Sequence, residues 1–122
     1  MKITKTSIKD LLIIEPDVHG DNRGYFMETY NKQDFLSNGL DYEFVQDNQS
    51  KSSKGVLRGL HFQIKHSQAK LVRVLEGEVY DVAVDLRKGS STYGKYFGVL
   101  LSEENKKNDY DSERICSWFF SA

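Results

Sequence analysis

Short apolar runs, each broken by glycine, proline or a polar cluster, set the pattern of this chain. Leu11-Leu12-Ile13-Ile14 is stopped by Pro16, and Gly24 to Tyr30 is aromatic and strand-like. Val72 to Leu75 and Val79 to Leu86 flank Glu76-Gly77-Glu78, a pattern that predicts a hairpin with glycine at the turn. Tyr96 to Leu101 reads as a further strand. Val79 to Leu86 and Tyr96 to Leu101 are apolar on both parities, as expected where both faces are covered. One short helix is predicted over Lys32 to Ser37, ended by Asn38-Gly39. Short strands with glycine turns imply an all-β chain, a sandwich or a barrel.

Composition narrows the class. A chain of 122 residues is one small domain with room for a core. The net charge is −1 with both signs interspersed, so bulk electrostatics give no sign of nucleic-acid binding. No apolar run reaches membrane-spanning length, and MKITKTSIKDLLIIEPD lacks the layout of a signal peptide. The single cysteine, Cys116, leaves no internal disulfide. The expected compartment is the reducing cytoplasm.

The chemistry concentrates in QDNQSKSSKGVLRGLHFQ, Gln46 to Gln63. Arg58 and His61 sit there in the apolar run Val56-Leu57-Arg58-Gly59-Leu60-His61-Phe62. Burying a guanidinium and an imidazole in such a run is costly unless each is paired. An anionic ligand for Arg58, and a carboxylate or a substrate proton for His61, would pair them. In a regular strand, residues three apart face opposite sides. Gly59 could host a bulge that brings the two together, or each could serve a different part of a site shared across a dimer.

Long ordered blocks carry a resemblance. They are DNRGYFMETY (Asp21 to Tyr30), VQDN (Val45 to Asn48), KGVLRGLHFQ (Lys54 to Gln63), KLVRVLEGEVYDVAVDLR (Lys70 to Arg87) and LLSEENKK (Leu100 to Lys107). In these blocks the chain resembles the dTDP-4-dehydrorhamnose 3,5-epimerase family, cupin-fold enzymes of dTDP-L-rhamnose synthesis. The resemblance implies a cupin double-stranded β-helix, or jelly roll. It implies a dTDP-4-keto-6-deoxyhexose substrate, no cofactor, and a homodimer.

Epimerising a carbon beside a ketone needs a base, a positive group for the enolate oxygen and an acid for the other face. His61 matches the family's proton acceptor, and imidazole suits that task near neutral pH. Asp81, in the apolar strand around Val79 to Val84, matches the partner that orients the histidine. Lys70 matches a ligand-contacting lysine suited to the oxyanion at C4. Arg23 and Arg58 match the diphosphate contacts, for which the guanidinium fork is suited. Glu28, Gln46, Asp47 and Asn48 match further substrate-binding positions. His19 and His66 lie in polar stretches and read as surface residues. A metal cupin would place a second histidine where Gln63 stands, so no metal site is expected.

After Lys107 the resemblance is expected to stop. Residues 1–107 read as the N-terminal part of the domain and 108–122, NDYDSERICSWFFSA, as a non-homologous tail. One permitted codon choice for Asn108 to Ala122, read from its second base, yields IPKGFAHGF, a block that family chains carry there. The expectation is therefore a frameshift, a jelly roll incomplete at its C-terminus, an irregular tail and an impaired enzyme. The alternatives are a related dTDP-sugar ketoisomerase, a single-centre epimerase, or a non-catalytic dTDP-sugar-binding module.

Overall fold

A computed structural model describes residues 1–61, 63–113 and 115–121, with all their side chains except those of Leu60, Cys116, Ser117 and Trp118. The described strands and the helix run β1 (Lys2–Lys5), β2 (Leu11–Glu15), β3 (Val18–Asp21), β4 (Gly24–Met27), α1 (Lys32–Ser37), β5 (Leu57–His61), β6 (Lys70–Arg73), β7 (Glu78–Asp85), β8 (Tyr96–Ser102), β9 (Asn108–Asp111) and β10 (Ile115–Ser121). One four-stranded sheet has the order β1-β2-β9-β6 and a second the order β5-β10-β7-β8. β3 and β4 form a separate hairpin. All pairings are antiparallel.

The unbroken apolar run of β2 is explained by burial on both faces. Leu11 points between the two large sheets and packs with Ile8, Ala83, Ile115 and the half-buried Phe97. Ile14, one parity away, points to the other side and packs with Phe35, Leu40 and Tyr110. That outer layer is supplied by α1 and the segment after it. Asn31 caps the helix, its Oδ1 accepting from the backbone of Gln33 at 2.9 Å and Asp34 at 3.2 Å. The helix ends at Asn38, and Gly39 follows at φ 78°, a conformation that costs glycine little.

A polar clamp ties the loop before β2 to the end of β7. Asp85 is fully buried, and Arg87 grips it with Nε to Oδ1 and Nη2 to Oδ2, each at 3.0 Å. The hydroxyls of Ser90 and Thr92 each donate to Asp85 at 2.6 Å. The same guanidinium donates to Asp10 at 3.1 Å and to the carbonyl of Lys9 at 2.7 Å. Burial alone would raise the Asp85 carboxyl; the Arg87, Ser90 and Thr92 donors overcome it and hold the group well below the usual carboxylate range.

Several expectations are corrected. Gly77 does lie in a turn, at φ 75°, but β6 and β7 do not form a hairpin. They belong to different sheets, so the turn is a corner between layers. A jelly roll incomplete at its C-terminus is not formed either. The chain is all-β and sheet-rich, but among the described residues no sheet closes on itself. The segment after Lys107 is not irregular. β9 lies between β2 and β6, and β10 lies between β5 and β7, so both occupy interior positions of their sheets. Backbone hydrogen bonding on both sides orders them despite their mixed composition. The two-sided cover expected for β7 and β8 is only partial: Val82 is buried on the outer face, but its described neighbours there are not. Leu57, Phe120, Tyr80 and Leu100 form one row across the outer face, and each is 43% or more exposed.

Candidate active site between the sheets

β5 is irregular between Arg58 and His61. Ser117 of β10 pairs with His61, and Phe119 pairs with Arg58. Two steps along β10 therefore match three along β5. The additional residue falls at Gly59-Leu60, and Gly59 has φ 131°, a backbone state that side-chain-bearing residues rarely adopt. The bulge puts Arg58 and His61 on one face of the sheet, as the glycine had hinted. Cross-strand rows run Arg58–Phe119–Asp81–Val99 and His61–Ser117–Ala83–Phe97. Residues directly opposite one another share a face. That face is the one turned toward the first sheet.

The cost argued from burial does not apply to these two residues. β5 is an edge strand, and Arg58 and His61 are both exposed. Arg58 donates from Nε to the Ser52 hydroxyl at 2.7 Å and from Nη2 to the Lys51 carbonyl at 3.3 Å, which tethers the Ser/Lys loop. Phe62 lies outside the described residues.

Behind this edge is a buried charged cluster. Asp81 on β7 is fully buried, which excludes a solvent-facing strand residue. From the first sheet, β9 supplies Asp109 and Asp111, 1% and 0% exposed, and β6 supplies the half-buried Lys70 opposite Asp111. Leu11 of the same face packs on Ala83, so these side chains share the space between the sheets. Burial, and then the charge of Asp111, push the Asp81 carboxyl above its usual range, with Lys70 acting the other way. Burial, and then Asp81, raise Asp109 likewise. Neither carboxylate oxygen of Asp81 accepts a hydrogen bond from a donor side chain among the described residues.

The register keeps His61 and Asp81 apart. β10 runs between their strands, which at ordinary strand spacing is about 10 Å across the sheet. The two share a face but are not hydrogen-bond neighbours by register. Arg23 and Glu28 lie elsewhere. Arg23 lies in the β3–β4 turn, exposed and ion-paired to Asp21 with Nη2 to Oδ2 at 2.6 Å. Glu28 lines a hollow of about 270 Å³ with His19, Phe26 and Asn31. A second hollow, of about 350 Å³, lies beside Arg87 and Tyr110, so neither contains the His61 face. Gln46, Asp47 and Asn48 are exposed in the segment that leads toward β5, and Gln46 donates to Asn48 at 3.1 Å. His19 and His66 are exposed. Among the described residues, no three His, Cys, Asp or Glu side chains gather as metal ligands.

Asp109 and Asp111 are the members of this buried cluster that sequence reading missed. Their signal was the alternation in Asn108-Asp109-Tyr110-Asp111, where acids recur at every second position around a buried tyrosine. Strand period places both acids on one face and the tyrosine on the other.

Comparison with known proteins extends the resemblance across this segment. The profile of the dTDP-4-dehydrorhamnose 3,5-epimerase family matches residues 5–121. The enzyme of that name from Methanothermobacter thermautotrophicus is 54% identical over 120 residues, covering 98% of this chain and 65% of the relative. The Shigella flexneri enzyme is 59% identical over 121 residues, covering 98% of this chain and 67% of its own length. The chain thus spans about two thirds of the length of these relatives. The crystal structure of the Elizabethkingia anophelis NUHP1 enzyme superposes with TM-score 0.92 at 55% identity, covering 99% of this chain and 67% of that one. A Legionella pneumophila Philadelphia 1 epimerase, solved with dTDP-4-keto-L-rhamnose, gives TM-score 0.95 at 48% identity, covering 98% and 64%. A resemblance ending at Lys107, with a frameshifted tail beyond it, is overturned by these matches. The chain belongs to the dTDP-4-dehydrorhamnose 3,5-epimerase family.

Proposed function

We propose that the chain epimerises a dTDP-4-keto-6-deoxyhexose at the carbons flanking its C4 ketone, the 3,5-epimerase step of dTDP-L-rhamnose formation. One observation carries this reading. The β5 bulge sets an imidazole and a guanidinium on one face, in front of a half-buried ammonium and buried carboxylates.

His61 is the base in this reading. It is exposed at the mouth of the inter-sheet space, where a sugar can reach it. Removing an α-proton leaves charge on the C4 oxygen, and Lys70, half-buried beneath, is the cation for that charge. Arg58 reads the diphosphate, exchanging Ser52 and the Lys51 carbonyl for phosphate oxygens. Gln46, Asp47 and Asn48 approach from the segment before it. Asp81 acts from the floor through its charge beside Lys70, since β10 separates it from His61. Arg23 and Glu28 belong to the diphosphate and sugar contacts through a homodimer, which would bring the β3–β4 hairpin of one copy to the site of the other. Tyr80 and Tyr96 lie on the parity opposite to Asp81 and Ala83, away from the His61 face. The reading assigns no step to a cofactor or metal and sets the reaction in the cytoplasm.

The test is incubation of purified chain with dTDP-4-keto-6-deoxyglucose, with the product analysed by NMR. Appearance of the L-configured 4-keto sugar supports the reading. Recovery of unchanged substrate that nonetheless protects the chain against thermal unfolding would replace it with a binding module.

A further inference from the structure

Asp81, Asp109, Asp111 and Lys70 share the space between the two large sheets. Two buried carboxyls, Asp81 and Asp109, that face each other from opposite sheets are costly to ionise together. The hydrogen-bond count points the same way. Both oxygens of Asp81 and Oδ1 of Asp109 are buried without a donor side chain among the described residues. The two carboxyls nevertheless lie within hydrogen-bonding reach of each other, from opposite sheets. Two carboxylates cannot satisfy one another, but a carboxyl and a carboxylate can, because one proton supplies the missing donor.

We propose that Asp109 is a positioning residue that shares one proton with Asp81 across the sheets and so sets the charge facing Lys70. This rests on the reading of the His61 face as the place where an enolate forms. With one proton shared, the Asp81–Asp109 pair carries a single negative charge. Lys70 then keeps more of its pull on the ketone oxygen than it would beneath a doubly charged pair. Burial raises both carboxyls of the pair, in keeping with a retained proton.

Among the described residues, few other charges face the pair. β5 contributes Arg58 and His61 at the mouth. β8 presents only apolar residues on this face, Phe97, Val99 and Leu101. β10 presents Ile115 and Phe119 among its described side chains. At the rim of the first sheet Glu15 is paired to Lys2 at 3.7 Å, and Asp85 is taken up by Arg87.

Infrared spectroscopy of the carboxyl carbonyl stretch tests this without reference to activity. At pH 6 the parent should show the band of a protonated carboxylic acid, and Asp109→Asn and Asp81→Asn should each lose it. Deuterium exchange into dTDP-4-keto-6-deoxyglucose should fall in the parent as pH rises through the pair's titration. In Asp109→Asn that limb should disappear. A band that survives both substitutions, or is absent from the parent, overturns the proposal. If either variant fails to fold, a carbon-13 titration of aspartate carboxyls in the parent decides instead. Two carboxyls titrating above the ordinary aspartate range support the shared proton, and none doing so overturns it. A band with the expected losses but no exchange at any pH would leave proton sharing standing and remove the epimerase reading.

Discussion

Arg58 and His61 stand on the same face of the second sheet although three positions separate them, because β5 carries one residue more than β10 between them. Gly59, at φ 131°, allows that bulge. Gly59→Ala forces a side-chain-bearing residue into a sparsely populated region, at a cost of order 1–3 kcal/mol. Urea unfolding should show that loss, and dTDP binding should weaken as the two side chains part. A variant that melts and binds like the parent would mean that the bulge does not set the site.

Arg58 is exposed and, among the described residues, holds a hydroxyl and a carbonyl, so it can change partners readily. Arg58→Ala should weaken dTDP binding by about 1.5–3 kcal/mol, the scale of hydrogen bonds to charged groups. Added salt should weaken binding in the parent more than in the variant. Calorimetric titration at two ionic strengths measures both effects. Equal affinity in the two proteins would remove Arg58 from the diphosphate site.

Asp85 and Arg87 govern stability in acid. The Asp85 carboxyl lies below its ordinary value when folded, so its contribution is present above that ordinary value and is lost as pH falls toward the folded one. Arg87→Met leaves a buried carboxylate without its main partner. The expected cost at neutral pH is about 3 kcal/mol, the lower end for breaking a buried pair because the Arg87 side chain remains 19% exposed. The acid-unfolding midpoint should move to higher pH. Unchanged acid and neutral stability would show the clamp to be inert.

Tyr110 tests whether the segment after Lys107 is built into the fold. It is 2% exposed and packs with Ile14, Phe35 and Leu40 on the outer side of the first sheet. Its hydroxyl is buried without a hydrogen-bond partner among the described residues, and burial raises its pKa. Tyr110→Phe should therefore be neutral or stabilising by up to about 1 kcal/mol. Tyr110→Ala should cost about 3–5 kcal/mol through lost burial and the resulting cavity. Thermal melts of both variants decide it, and a harmless alanine would mean that β9 does not anchor the sheet.

What was legible in the sequence was local. Asn31, Asn38 and Gly39 bracket α1 because capping is decided within one turn of chain. Gly59 announced a bulge because only a glycine takes that backbone state cheaply. Partner choice was not legible. Gly77 marks a turn, but nothing near it tells whether β7 will pair with β6 or cross to the other sheet. β9 was hidden for a different reason. Asp109 and Asp111 fill inward positions that strand patterning reserves for apolar residues, so a buried polar face looked like an unstructured tail. Departures of that kind are expected at functional sites, where local rules yield to chemistry.

The central claim is that His61 removes the protons beside the ketone, and deuterium incorporation at sugar C3 and C5 measures it most directly. Purified parent chain in D2O with dTDP-4-keto-6-deoxyglucose should place deuterium at both carbons. His61→Ala should slow both exchanges by a factor of about 10² or more, the usual contribution of a positioned base, while still binding dTDP. Exchange at the parent rate in His61→Ala would contradict the account.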